Sequence, residues 1–187
     1  MACTSYHTPF NFNGLNPWLE KITRDQEGIR SYIADNQDIY RDKTCLHIGT
    51  GDSSIATNYH KLFKHIDGLA IDPNEVKHAN NKTISNYTCY LINKHKLEEL
   101  SVLGKYDVII DNNIKSYTCC DEHYLDYFNW ILDSVASRNG EIITHTLGFA
   151  AGRVEPLTLP EIDSIANRVQ YKTYQKADQN VVLIKPI

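Results

Sequence analysis

The chain has 187 residues, 42% hydrophobic and 22% charged, with a formal net charge of −4. That length suits one domain with a full core. A mildly acidic chain has no bulk electrostatic reason to track phosphate backbones or anionic membranes, so neither nucleic acid nor membrane is an expected partner.

The first sixteen or so residues, with aromatics at Tyr6, Phe10 and Phe12, read as an irregular arm. They lack a basic start followed by an apolar stretch, so no secretory signal is expected. The apolar runs of the chain are a few residues each, far short of the roughly 18 that span a bilayer. After Pro17, residues Trp18, Leu19 and Ile22 form a short apolar face, and Ile29, Tyr32, Ile33 and Tyr40 continue it at helical spacing. The pattern then changes. Residues 44–49 (TCLHIG) are short and apolar and end in glycine, and 53–63 read as a helix with Ile55, Ala56, Tyr59, Leu62 and Phe63 on one side. A second apolar run, 66–71, ends at Asp72-Pro73, and Asn74 is the expected cap of a helix reaching Asn80. The third run is 88–92, followed by a short helical piece, 96–103, that Gly104 stops. The fourth, 106–110, ends at Asp111-Asn112-Asn113. Asp121 opens a long helix whose Tyr124, Phe128, Ile131 and Val135 share a face. Asn139-Gly140 ends it, and 141–145 (EIITH) is the fifth run. After a last helix over 160–167, residues 168–175 alternate, a polar turn spans 176–179, and 180–185 (NVVLIK) complete an antiparallel hairpin.

Five near-continuous apolar strands alternating with helices predict an α/β fold with a parallel sheet covered on both faces. Such sheets bind ligands beyond the carboxyl ends of their strands, so the residues after each run matter most. The first run is followed by Gly49-Thr50-Gly51-Asp52-Ser53-Ser54. Its two glycines let the backbone turn sharply and let a ligand lie against it, and the helix that follows offers free N–H groups. The loop is neither a full G-x-G-x-x-G, because the third position is Ser54, nor a Walker loop, because no Gly-Lys-Ser/Thr is present. Asp72 stands 72 − 49 = 23 residues past Gly49, where a carboxylate can accept from a ribose diol. Asn93 ends the third run with an amide able to pair with an adenine edge. Asp111-Asn112-Asn113 are three polar side chains at a strand end that packing does not require. His145 ends the fifth run and is either a general base or a hydrogen-bonded structural histidine. Five cysteines, Cys3, Cys45, Cys89, Cys119 and Cys120, form no framework, which suits a reducing cytoplasm. No C-x-x-C, H-x-H or H-E-x-x-H spacing occurs, so no metal is expected.

Together LHIGTGDSSIA, GLAIDPNEVKHA, KYDVIIDNNI, NGEIITHT and the closing hairpin resemble the class I S-adenosylmethionine-dependent methyltransferases, over roughly Asp42 to Ile187. The resemblance implies a single-domain, seven-stranded, mostly parallel sheet in order 3-2-1-4-5-7-6, with the last strand antiparallel. It implies S-adenosylmethionine as cofactor, held by the loop of Gly49, Thr50, Gly51, Asp52 and Ser53, by Asp72 at the ribose, by Pro73 and Asn93 at the adenine, and by Asp111. It implies methyl transfer to a small molecule or a peptide end, with Asp111, Asn112 and His145 as catalytic candidates. Residues 1–41 are then an arm and helices capping the acceptor side, and 42–187 the cofactor-binding core. The acceptor would meet Tyr6, His7, Trp18, Tyr117, His145 and Phe149. The first motif departs from the family pattern at His47, where an acid is usual, and at Ser53, where a third glycine is frequent. A non-catalytic binder of the same fold and aminopropyl transfer therefore stay open as alternatives.

Overall fold

The computed structural model describes residues 24–116, 118, 120–149 and 158–187. Along them run α1 (Arg24–Asp35), α2 (Gln37–Tyr40), β1 (Thr44–Ile48), α3 (Ser54–Tyr59), β2 (His65–Ala70), α4 (Pro73–Asn80), β3 (Tyr87–Leu91), α5 (Leu97–Leu100), β4 (Val108–Asp111), α6 (Asp121–Ala136), β5 (Glu141–His145), α7 (Leu159–Asn167), β6 (Tyr171–Lys176) and β7 (Val181–Pro186). A short 3-10 turn over Thr146–Phe149 follows β5. The strands form one sheet in order β3-β2-β1-β4-β5-β7-β6. β1 to β5 are mutually parallel, and β7 runs antiparallel to both β5 and β6.

Strand parity sorts the core into two layers. Leu46, Ile48, Ile109 and Ile142 face Tyr127, Phe128 and Ile131 of α6 and Ile162 of α7. Cys45, Ile66, Val108, Ile110 and Ile143 face Ile29 and Ile33 of α1, Tyr40 of α2 and Ile55 of α3. This is why the central strands read as unbroken apolar runs: both of their faces are covered. α1 and α2 belong to the same core as β1, β4 and β5. The Tyr40 hydroxyl donates to Glu141 Oε1 at 2.6 Å and fixes α2 to the start of β5. Close approach demands glycine at Gly140 and Gly28, among others. A Cβ on Gly140 would lie 2.3 Å from the Asp107 carbonyl oxygen, and one on Gly28 of α1 would lie 2.3 Å from that of Gln179 in the hairpin turn.

Most element boundaries shift by one or two residues from those expected, but α3 ends four residues early, at Tyr59, α5 ends three early, at Leu100, and β6 starts three late, at Tyr171. The fourth strand starts at Val108 and not at Tyr106, because Tyr106 sends its hydroxyl to Asp67 Oδ2 at 2.7 Å and Asp107 turns its carboxylate to Thr44. α7 starts at Leu159, under a Thr158 cap whose side chain and Glu161 satisfy each other's backbone amides. Among the described residues no helix is long and apolar enough to cross a membrane, and no group of three or more His, Cys, Asp or Glu side chains could hold a metal ion.

Candidate functional site

The carboxyl ends of β1 to β5 lie along one edge of the sheet, and most of the expected site residues stand there. After β1, Gly49 and Gly51 take φ of 73° and 49°. A Cβ on Gly49 would meet nothing within 4 Å, so the glycine is required by its backbone angle and the space above it is open. Ser53 also takes the left-handed conformation, with φ 58°. It bears a side chain where a glycine would be unstrained, and its buried hydroxyl lies 3.2 Å from that of Tyr87. Thr50 is buried beside Cys89, and Asp52 Oδ1 accepts from the Ser54 amide at 2.9 Å. Thr50 and Ser53 therefore turn their side chains into the protein, and the backbone of the loop is what faces outward.

After β2, Asp72 is buried and caps α4 itself, with Oδ1 accepting from the Asn74 amide at 2.9 Å. The cap falls on Asp72 and not on Asn74 because Pro73 occupies the first helical turn, where its fixed φ is pre-set and its missing N–H costs nothing. Pro73 is exposed. Glu75, three positions into the same helix, reaches back so that its Oε2 accepts from the Gly51 amide at 3.3 Å. Glu75 thus braces the glycine turn, and Asp72 stands at the N-terminus of the same helix. Glu75 was not among the expected site residues. Its only sequence signal is an acid one turn into a helix that starts at a strand's carboxyl end. After β3, Asn93 Oδ1 closes a turn by accepting from the His95 amide at 3.0 Å.

After β4 the structure separates two neighbours. Asp111 faces the α6 side. Its Oδ2 accepts from Lys94 Nζ at 2.9 Å and from the Tyr127 hydroxyl at 2.6 Å, and its Oδ1 accepts from the Asn113 amide at 3.0 Å. Lys94 also donates to the Asn113 carbonyl. Burial lowers the Lys94 pKa, and the adjacent Asp111 charge opposes the shift. Burial and the Asp111 charge raise the Tyr127 pKa well above its usual value. Asn112 is different: it is buried, and its Oδ1 has no hydrogen-bond partner among the described residues.

On the opposite face of the sheet lie His47 and His145. His47 is fully buried, and neither of its ring nitrogens has a hydrogen-bond partner among the described residues. Burial holds its pKa down to about 4, against the pull of Asp111 and Asp52. His145 is buried and accepts the Leu147 amide at Nδ1, 3.1 Å away. An amide donating to Nδ1 needs the lone pair there, so the neutral ring carries its proton on Nε2. The expected acceptor-side residues Tyr6, His7, Trp18 and Tyr117 lie outside the described residues, as does the Phe149 side chain.

No family model matches the sequence, and no curated protein matches it closely. Solved structures do share its fold. N-methyltransferase NodS from Bradyrhizobium japonicum, solved with S-adenosylhomocysteine, superposes with a TM-score of 0.67 at 12% identity, over 92% of this chain and 91% of that one. An amino pentose methyltransferase from Micromonospora echinaspora, solved with S-adenosylmethionine, gives 0.67 at 10% identity, over 90% and 94%. Magnesium protoporphyrin IX methyltransferase from Synechocystis, solved with S-adenosylhomocysteine, gives 0.55 at 16% identity, over 87% and 83%. The fold of this chain is that of the class I S-adenosylmethionine-dependent methyltransferases, including the strand order and the antiparallel β7.

Proposed function

We propose that this chain binds S-adenosylmethionine along the carboxyl edge of β1 to β4 and transfers its methyl group to a small-molecule acceptor. The observation that carries the reading is the glycine turn after β1. It leaves open space over Gly49 and has Glu75 on the Gly51 amide, with Asp72 capping the same helix, in a sheet with the methyltransferase strand order. Unmatched polar atoms at His47 and Asn112 suit a polar ligand at the same edge.

In this reading Gly49 and Gly51 lie under the methionine and ribose parts. Asp72 and Glu75 accept from the ribose hydroxyls, and Pro73 and Asn93 border the adenine. When bound, the cofactor supplies a methyl group already activated on a sulfonium. The protein's task is then to hold an acceptor lone pair in line at near-attack distance and to exclude water. Asn112 is the orienting group at the β4 end. Asp111 contributes through the loop it anchors, since Lys94, Tyr127 and the Asn113 amide already engage both of its oxygens. His145, held at the end of β5 by the Leu147 amide on its Nδ1, borders the acceptor side. Structural neighbours named as amino pentose, sugar and magnesium protoporphyrin IX methyltransferases support a small acceptor.

Calorimetry with S-adenosylmethionine, S-adenosylhomocysteine and NAD tests the cofactor. Binding of both adenosyl compounds and not of NAD is expected, and binding of NAD alone would overturn the reading. Methyl-labelled cofactor incubated with a small-molecule extract tests transfer. Tight cofactor binding with no label leaving it under any condition would reduce the protein to a binder.

A further inference from the structure

We propose that Tyr87 is a positioning residue for the glycine turn, holding Ser53 in the left-handed conformation that shapes the turn; the assignment rests on the cofactor reading above. Six non-glycine residues among those described take positive φ, and five of them, Asp42, Thr83, Asn139, Gln170 and Asn180, are exposed. Ser53 is the buried one, at φ 58°. A side chain in this region is strained, and such strain persists only where the surroundings over-determine it. Ser53 also immediately precedes α3, where a serine hydroxyl ordinarily accepts from a backbone amide of the first turn. It makes no such cap. Its hydroxyl lies instead 3.2 Å from that of Tyr87.

The fold makes room for this contact. Tyr87 opens β3 in register with Ile66, so its ring runs along the sheet past Gly68 to reach the loop that follows β1. A Cβ on Gly68 would lie 2.7 Å from the Tyr87 hydroxyl oxygen and 2.9 Å from its Cε2. Glycine inside a strand marks a close approach, and here what approaches is Tyr87. The same added atom would lie 2.7 Å from Thr50 Cγ2, so the tip of the ring and Thr50 meet over Gly68. Thr50 and Cys89 border the Tyr87 hydroxyl together with Ser53. β3 thus grips both inward-turned side chains of the turn, and the Ser53 amide closes it by donating to the Thr50 carbonyl at 2.8 Å. The outward-facing backbone of Gly49 and Gly51 is set before a ligand arrives, which leaves less to order on binding. Tyr87 acts through Ser53, with no contact of its own to the ligand.

The test is a double-mutant cycle on the full chain, read by calorimetry with S-adenosylhomocysteine. Tyr87→Phe keeps the ring over Gly68 and removes only the hydroxyl. It should weaken the ligand about three- to tenfold, the effect of one hydrogen bond that presets the turn. On a Ser53→Gly background the left-handed conformation needs no tether, and the same substitution should change affinity less than about twofold. A hydroxyl that only stabilised the fold would lower the melting temperature and leave affinity untouched in both backgrounds. Equal losses of affinity in the two backgrounds, or none in either, overturn the assignment. Hydrogen exchange at the Ser53 amide of the ligand-free protein gives a second readout. Exchange should quicken in Tyr87→Phe, and an unchanged rate also overturns the assignment, even should Ser53→Gly fail to fold. If S-adenosylhomocysteine does not bind wild type, the cofactor reading falls, and the exchange rate alone decides whether Tyr87 holds the turn.

Discussion

Lys94 and Asp111 form an ion pair, Nζ to Oδ2 at 2.9 Å, in which both side chains are almost wholly buried. The pair joins the loop after β3 to the end of β4, and Tyr127 of α6 closes it from below. A buried pair is a weak source of net stability, but removing one partner strands the other charge. Lys94→Met should therefore destabilise the fold by about 3–5 kcal/mol. The double variant Lys94→Met/Asp111→Asn should cost clearly less than the sum of the two single changes. Urea denaturation of the four proteins measures the coupling, and strict additivity would show that the two groups act independently.

Asp72 and Glu75 should separate by what else each one does. Asp72 caps α4, so Asp72→Ala should lower stability by about 1 kcal/mol as well as weaken S-adenosylhomocysteine about ten- to a hundredfold. Glu75→Ala leaves that cap in place and should weaken the ligand with a smaller loss of stability than Asp72→Ala. Unchanged affinity in the Glu75 variant would leave its contact with Gly51 a brace for the loop alone.

Stability should depend on pH through the buried imidazoles. Burial lowers His47 to about 4, and burial with the Lys94 charge lowers His95 to about 4. The unfolded chain takes up protons near the ordinary histidine value of about 6.5, whereas the folded chain resists them until about 4. Stability is thus complete above the upper value and declines as pH falls toward the lower one, by about 1.4 kcal/mol per unit for each ring. His47→Leu should remove one of the two contributions to that slope. Denaturant midpoints across the window give it directly, and an identical slope in the variant would contradict the buried, neutral state of His47.

The sheet was legible because its driving force is written locally. A strand covered on both faces must be apolar throughout, and residues 141–145 were bounded without error for that reason. The hairpin announced itself by alternation around a polar turn. The glycine turn could be read because Gly49 and Gly51 meet a backbone requirement that few other residues meet. What escaped were long-range polar partners. Lys94 and Glu75 are charged residues just past strand ends and look like solvated loop and helix surface. Only the folded chain brings Lys94 to Asp111 and Tyr127, and Glu75 to the Gly51 amide. Likewise Asp111 and Asn112 looked equivalent in sequence, and the pleat turned the first toward α6 while the second kept an unmatched oxygen.

Gly28 offers a test of packing against propensity. Glycine in a helix interior ordinarily costs up to about 1 kcal/mol relative to alanine. Here an added methyl would fall 2.3 Å from the Gln179 carbonyl oxygen, a backbone atom that cannot swing aside. Gly28→Ala should therefore destabilise the protein by about 1–3 kcal/mol, the typical cost of overpacking, in spite of the better helix former. A rise in melting temperature would mean that α1 slides on the hairpin more freely than this contact allows.

The position of β7 has a consequence for the order in which the chain can assemble. Of the described strands β7 comes latest in the chain, yet it lies inside the sheet, between β5 and β6. Until it arrives, β5 presents a bare apolar edge, and β6 has no strand to pair with. α1 waits as well, since Gly28 packs on the Gln179 carbonyl and Asp35 accepts from the Gln179 side chain at 2.9 Å. During synthesis the early part of the molecule is therefore held open until the last strand emerges, a window in which unpaired edges of two chains can meet and aggregate.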